Sequence, residues 1–189
     1  MTPEKLIEGL INKDKWAIES LVITYQNSVI KTAYYFLDNM EDAEDLSQEV
    51  MLEILRSISK YSNHGTLKSW IYRITVNRSL DHLRRQKRRN IFQRIGSIMQ
   101  ISENGTKKNI EEVAIIDTGS EIDEKRKLLE NAINTLPENQ KTALILSKYE
   151  DLSYKEIAEI MGLSVSSVES LIFRAKKNLQ QKLVNYYVS

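Results

Sequence analysis

Ser164, Ser166, Ser167, Glu169 and Ser170 crowd the start of one segment with helical apolar spacing, and Arg174, Lys176 and Lys177 follow them. On a helix, short hydroxyls and a carboxylate near the N-terminal end can reach base edges in a major groove, while cations farther along neutralise phosphates. The serines would serve equally well as helix caps or solvent contacts. A carboxylate repels phosphate but can accept a hydrogen bond from a cytosine amino group, so base contact and solvent exposure are both open for Glu169.

A second constellation is cationic. Arg84, Arg85, Lys87, Arg88 and Arg89 follow one another closely, with Arg94 beyond them. Clustered cations gain from counterion release beside phosphate; a solvated helix end is the alternative. Upstream, Trp70, Arg73 and Asn77 share a broad helical face with Arg84 and Arg88, and acidic Asp81 lies among them. The Trp70 indole could stack on an unpaired base or simply belong to the core. Before it, Tyr61, Asn63 and His64 lie in a polar stretch that could receive an opened single strand, or be a solvated loop between helices.

The third set is acidic: Asp42, Asp45, Glu49 and Glu53 repeat every three or four residues, on a different face from Ala43, Leu46, Val50 and Ile54. Such a ridge repels DNA and suits a basic protein surface. The balance of 27 Lys plus Arg against 26 Asp plus Glu hides this segregation.

Other chemistries are excluded by what is missing. The 189 residues include no cysteine, and the two histidines, His64 and His82, lie apart, so no thiolate nucleophile and no compact metal-ligand set can be inferred. A nuclease is therefore unattractive, and neither a cofactor nor an enzymatic activity is expected. No apolar run approaches the roughly 20 residues that span a bilayer, and Met1-Thr2-Pro3-Glu4 opens no signal peptide. The expected compartment is the cytoplasm, with no membrane insertion.

The elements that must position these groups read as helices. Six glycines and two prolines are too few for a turn-rich sandwich or barrel, which points to an all-α chain. Pro3 fits a first helical position; Asp14 could cap a longer helix ending at Asp38-Asn39; a third runs from about Asp42 to Ile58. Ser57 to Thr66 reads as a loop, and Leu67 to about Arg89 as a long helix with a basic end. Residues 96–124 turn polar and acidic, which suggests a flexible linker between domains at 1–95 and 125–189.

Beyond the linker, Pro137 interrupts two helices, and Ser153 with Glu156 forms a capping box for a short helix stopped by Gly162. Val165, Val168, Ile172, Ala175 and Leu179 then continue a helix of about 16 residues after a short turn. Small Ala158, turn-forming Gly162 and Val168 in the angle describe a helix-turn-helix better than a generic hairpin.

Two stretches carry a family resemblance. Asp42-Ala43-Glu44-Asp45-Leu46-Ser47-Gln48-Glu49-Val50 with Leu67-Lys68-Ser69-Trp70-Ile71-Tyr72-Arg73-Ile74-Thr75-Val76-Asn77, and Leu152 to Gly162 with Ser166-Ser167-Val168-Glu169-Ser170 and Arg174-Ala175, resemble bacterial RNA polymerase sigma factors of the extracytoplasmic-function group. The resemblance implies a subunit that binds core RNA polymerase, reads the −35 promoter element with its second domain, and reads and melts the −10 element with its first.

It assigns Asp45, Gln48 and Glu49 to core binding, and the ridge read from spacing adds Asp42 and Glu53. It assigns Tyr61, Asn63, His64, Trp70, Arg73 and Asn77 to the −10 element, to which the charge reading adds Arg84, Arg85 and Arg88. It assigns Ser166, Ser167, Glu169, Ser170 and Arg174 to the −35 element, to which spacing adds Ser164 and Lys177. It further implies an anti-sigma factor, membrane-bound forms included, as inhibitory partner. Two departures stand out: the loop reads Tyr61-Ser62-Asn63-His64-Gly65 where an aromatic-Arg-Gly pattern is commoner, and Ser166 stands where glycine is frequent. From spacing alone, a two-domain repressor that binds duplex DNA without polymerase, or an interaction protein, would be alternatives.

Overall fold

Although Asp14, just before the helix that begins at Lys15, makes no side-chain capping bond, several helices of this chain begin where a side-chain oxygen takes up an unpaired backbone N–H. Thr2 does so for α1 (Pro3–Ile11), accepting from Lys5 N at 3.5 Å, with Pro3 in the first turn where its missing N–H costs nothing. Asn39 does so for α3 (Met40–Ser57), accepting from Asp42 N at 3.1 Å. Between them runs α2 (Lys15–Leu37), which stops as Asp38 turns left-handed at φ 56° and its N–H reaches Tyr34 O at 2.8 Å. A short 3-10 helix (Ile58–Lys60) follows α3, and then Thr66 starts α4 (Leu67–Ile101) by accepting from Ser69 N at 3.0 Å. The computed structural model describes residues 2–61, 65–101, 121–149 and 152–188.

The second half holds α5 (Glu121–Asn134), α6 (Glu138–Tyr149), α7 (Tyr154–Met161) and α8 (Val165–Val188). The all-α expectation stands: two helical subdomains, α1–α4 and α5–α8, occupy the two ends of the chain.

In the first subdomain, Leu10, Leu21, Val29, Ala33, Ala43, Val50 and Ile54 are sealed from solvent, and Ile71 brings α4 onto them. Thr32, Thr75 and Ser79 are buried too. Each hydroxyl donates to a carbonyl one turn back, at 2.8, 2.9 and 2.8 Å, so small polar residues line the helix contacts without an orphaned group. In the second, Ile145, Leu146, Ile157, Val168 and Ile172 form the core, and Ala175 and Leu136 extend it. Phe36, Tyr72 and Val76 of the first subdomain belong to that second cluster, so the two halves pack against each other.

Three boundaries differ from expectation. Helix α4 continues past Arg89 to Ile101, because no proline follows the basic turn and the lone Gly96 costs only about 1 kcal/mol in a helix. Helix α8 has 24 residues where about 16 were expected, since good helix formers follow Leu179 with no breaker. Helix α5 starts at Glu121, inside the span read as linker. The expected linker is thus helical at 96–101 and 121–124, and its remainder lies outside the described residues.

Candidate nucleic-acid interface

The helix-turn-helix is built from the caps inward. Ser153 Oγ accepts from Glu156 N at 3.3 Å, and Glu156 Oε2 accepts from Ser153 N at 2.9 Å, which closes the capping box that starts α7. Ser153 Oγ also donates to Glu156 Oε2 at 2.7 Å, and this bond, with the one from Ser153 N, holds the Glu156 carboxyl below the usual carboxylate range. Gly162 ends the helix at φ 66°, a conformation that a Cβ would strain, and Leu163 N reaches back to Ala158 O at 3.0 Å. Val168 is wholly buried in the angle between α7 and α8, which fixes the direction of the second helix.

On that helix Ser164 proves to be a cap: its Oγ accepts from Ser167 N at 3.2 Å and lies 2.8 Å from Ser167 Oγ and 3.1 Å from Ser166 Oγ. Ser167 is half-buried, whereas Ser166, Glu169, Ser170, Arg174 and Lys177 are exposed. Arg174 Nε donates to Ser170 O at 3.3 Å, which lays its guanidinium along the helix. Sequence reasoning missed Phe173, which is 69% exposed among these polar groups. Its signal was available: it falls off the stripe of Val168, Ile172 and Ala175 that the core needs.

Helix α4 displays Arg73, Asn77, Arg84, Arg85 and Arg88 to solvent. Trp70 is half-buried, packed on the first core and edge-on to Tyr61 at 5.4 Å between ring centroids. Tyr61 Oη donates to Gly65 O at 2.9 Å, so the aromatic pair and this bond brace the entry to α4. Asn63 and His64 lie outside the described residues. Two of the arginines reach the other subdomain: Arg73 donates to Glu159 O, and Arg84 Nη2 donates to Glu138 Oε1 at 2.6 Å. That contact with Glu138 raises the Arg84 guanidinium further above its ordinary range. Arg88 Nε lies 3.3 Å from Arg84 O.

The acidic ridge of α3 divides into two kinds of residue. Asp42 Oδ2 faces His82 Nε2 at 3.9 Å, and Glu53 pairs with Arg78, a residue that sequence reasoning had not singled out. Both of these carboxylates tie α3 to α4. Asp45, Gln48 and Glu49 point outward and are exposed. Among the described residues no group of three or more His, Asp or Glu converges as a metal site, and no helix is long and apolar enough to cross a membrane.

Comparison with known proteins places the chain in a family. Residues 21–89 match the model of sigma-70 region 2, and residues 126–179 match that of sigma-70 region 4. The ECF RNA polymerase sigma-E factor of Haemophilus influenzae is 33% identical over 186 residues, 97% of this chain and 96% of the relative. RNA polymerase sigma factor SigV of Bacillus subtilis is 30% identical over 175 residues, 90% of this chain and 96% of the relative.

The fold is that of CnrH, solved in complex with the cytosolic domain of CnrY, with a TM-score of 0.70 at 17% identity over 97% of both chains. It is also that of the sigma factor RpoE of Bartonella quintana, solved with the anti-sigma factor NepR, with a TM-score of 0.61 at 20% identity over 87% of this chain and 95% of that one. Two family regions in their expected order, on a fold with separate acidic, basic and helix-turn-helix surfaces, mean that the chain belongs to the extracytoplasmic-function sigma factors of the sigma-70 superfamily.

Proposed function

We propose that this sigma factor divides its work among three helices: α3 holds core RNA polymerase, α4 reads and opens the −10 element, and α8 reads the −35 element. The observation that carries this reading is the separation of charge. Asp45, Gln48 and Glu49 are exposed on α3, while Arg73, Arg84, Arg85 and Arg88 are exposed on α4. An acidic face that repels phosphate is suited to a basic protein partner, and a basic face to DNA.

On α8, Ser166, Glu169, Ser170 and Arg174 supply hydrogen-bonding groups for base edges, and Lys177 a phosphate contact. Phe173 adds an apolar surface of the kind that packs on a thymine methyl. Ser164 serves the interface indirectly, as the cap that fixes the first turn. Trp70 on α4 and Tyr61 after the 3-10 helix offer ring faces and edges to an unpaired base, and Asn77 on α4 offers an amide; Asn63 and His64 join this site by their place in the sequence between Tyr61 and Gly65. Unstacking a base step costs a few kcal/mol, and captured bases with phosphate contacts can offset that without covalent chemistry.

The protein is not an enzyme; polymerase supplies the catalysis. Its partners in this reading are core polymerase, promoter DNA and an anti-sigma factor, with a membrane-linked anti-sigma protein and a cytoplasmic site of action as the finer expectation. The test is reconstitution: purified core enzyme plus the folded protein should initiate RNA synthesis at discrete sites in a genomic promoter library. DNA binding without core-dependent initiation would overturn the reading in favour of a repressor.

A further inference from the structure

Two carboxylates of the acidic ridge on α3 are turned onto α4. Glu53 is paired with Arg78, and Asp42 Oδ2 lies 3.9 Å from His82 Nε2. The Arg78 and Glu53 side chains remain 35% and 34% exposed. Ion pairs this open to water add little to stability, so holding the fold together is a weak reason for them.

Their spacing suits a different task. Asp42 and Glu53 stand about 17 Å apart along α3 at 1.5 Å per residue, whereas Arg78 and His82 are about one turn apart on α4. Two contacts so unequally spaced fix both the height and the rotation of one helix on the other, where a single contact would leave a pivot. The packing beneath fixes them less well. Leu67 and Ile71 bring α4 into the first core, but Thr75 and Ser79 continue that line, and small Ala43 and Ser47 are buried on α3. Small side chains make shallow ridges and grooves. The hydroxyls also bond within their own helices: Thr75 Oγ1 donates to Ile71 O at 2.9 Å, Ser79 Oγ to Thr75 O at 2.8 Å and Ser47 Oγ to Glu44 O at 2.8 Å.

We propose that Arg78 and His82 are positioning residues for promoter opening: with Glu53 and Asp42 they set α4 on α3, and so place Trp70, Arg73 and Asn77 relative to the surface that holds polymerase. This placement rests on the roles given above to α3 and α4. At 100° per residue, Arg78 and His82 occupy a face turned roughly 130° from Trp70, Arg73 and Asn77, so they pin the helix without meeting a base captured on its other side. Asp42 and Glu53 share the ridge of Asp45 and Glu49, which puts the pins beside the residues exposed to polymerase. Without the pins, the reading face of α4 can turn on α3 while both helices stay folded.

The test uses the full chain with core polymerase, on a promoter taken from the initiating library with 2-aminopurine in its −10 element, whose fluorescence rises when the strands part. Arg78→Met combined with His82→Gln should leave helicity and core-polymerase affinity unchanged and lower the open fraction roughly fivefold, the scale set by losing partly exposed ion pairs. Glu53→Arg alone should also lower opening, and Glu53→Arg combined with Arg78→Glu should restore it.

Opening within about twofold of native in the folded Arg78→Met, His82→Gln variant overturns the positioning role. A fall matched by an equal fall in core affinity overturns it as well, and so does an exchange of partners that restores nothing. Should the double variant fail to fold, Arg78→Lys keeps the charge but loses the planar fork, and is judged by the same readouts. Initiation by the unaltered chain with core polymerase, measured in parallel, shows separately whether the sigma role itself fails.

Discussion

Replacing Arg84, Arg85 and Arg88 together with glutamine should flatten the salt dependence of promoter binding by the holoenzyme. All three lie exposed in one stretch of α4, where Arg84 pairs both with Glu138 of the other subdomain and with Asp81 one turn away on its own helix. Each phosphate contact contributes about 0.7 to the slope of log affinity against log salt on a single strand and about 0.9 on a duplex. Three lost contacts therefore remove about 2.1 to 2.7 from the slope. Between 50 and 200 mM salt, a fourfold change, the native holoenzyme should lose about 20- to 40-fold more affinity than the variant does. Fluorescence anisotropy on several unrelated promoters measures this directly. An unchanged slope refutes the phosphate role, and a loss confined to one promoter sequence would instead make these residues base readers.

On α3, Asp45→Lys with Glu49→Lys should weaken core-polymerase affinity at least tenfold, because exposed anions that complement a basic partner become repulsive; native affinity in a folded variant, measured by competition binding, would remove α3 from the interface. On α8, Glu169→Gln and Phe173→Ala should each change promoter preference at particular −35 positions, by about 1 to 3 kcal/mol where a base contact is lost. Transcription from a position-scanned promoter set checks this, since uniform loss across sequences would mean mere phosphate contact. The Glu156 carboxyl, held low by Ser153, contributes capping that is fully present above the ordinary carboxylate range and is lost as pH falls through its depressed value. The difference in thermal stability between the native chain and Glu156→Gln should therefore shrink on going from neutral pH to about pH 3.

Local rules made much of this molecule legible. The capping box, Gly162 and the Val168 stripe sufficed for the helix-turn-helix, because each depends on neighbours within a few positions. Helix ends were harder: α4 and α8 run on where polar composition suggested a stop, since composition reports solvation while helices end only at caps and breakers. The split of the acidic ridge was invisible for another reason. Asp42 and Glu53 share spacing with Asp45 and Glu49, and only the packing of α4 against α3 turns them toward His82 and Arg78. The contacts of Arg73, Arg84 and Lys141 across the subdomains depend on residues far away in the chain, which no periodicity encodes.

The uninterrupted run of α4 makes it a molecular ruler. Arg73 and Arg88 stand on one continuous helix, so at 1.5 Å per residue they are about 22 Å apart, close to the length of six or seven nucleotide steps at 3.4 Å. The site where bases are captured and the site where phosphates are gripped would thus keep a constant offset whatever sequence is being read. A residue inserted between them would rotate one site by about 100° about the helix axis relative to the other, whereas the same insertion within 102–120 would leave that gauge untouched.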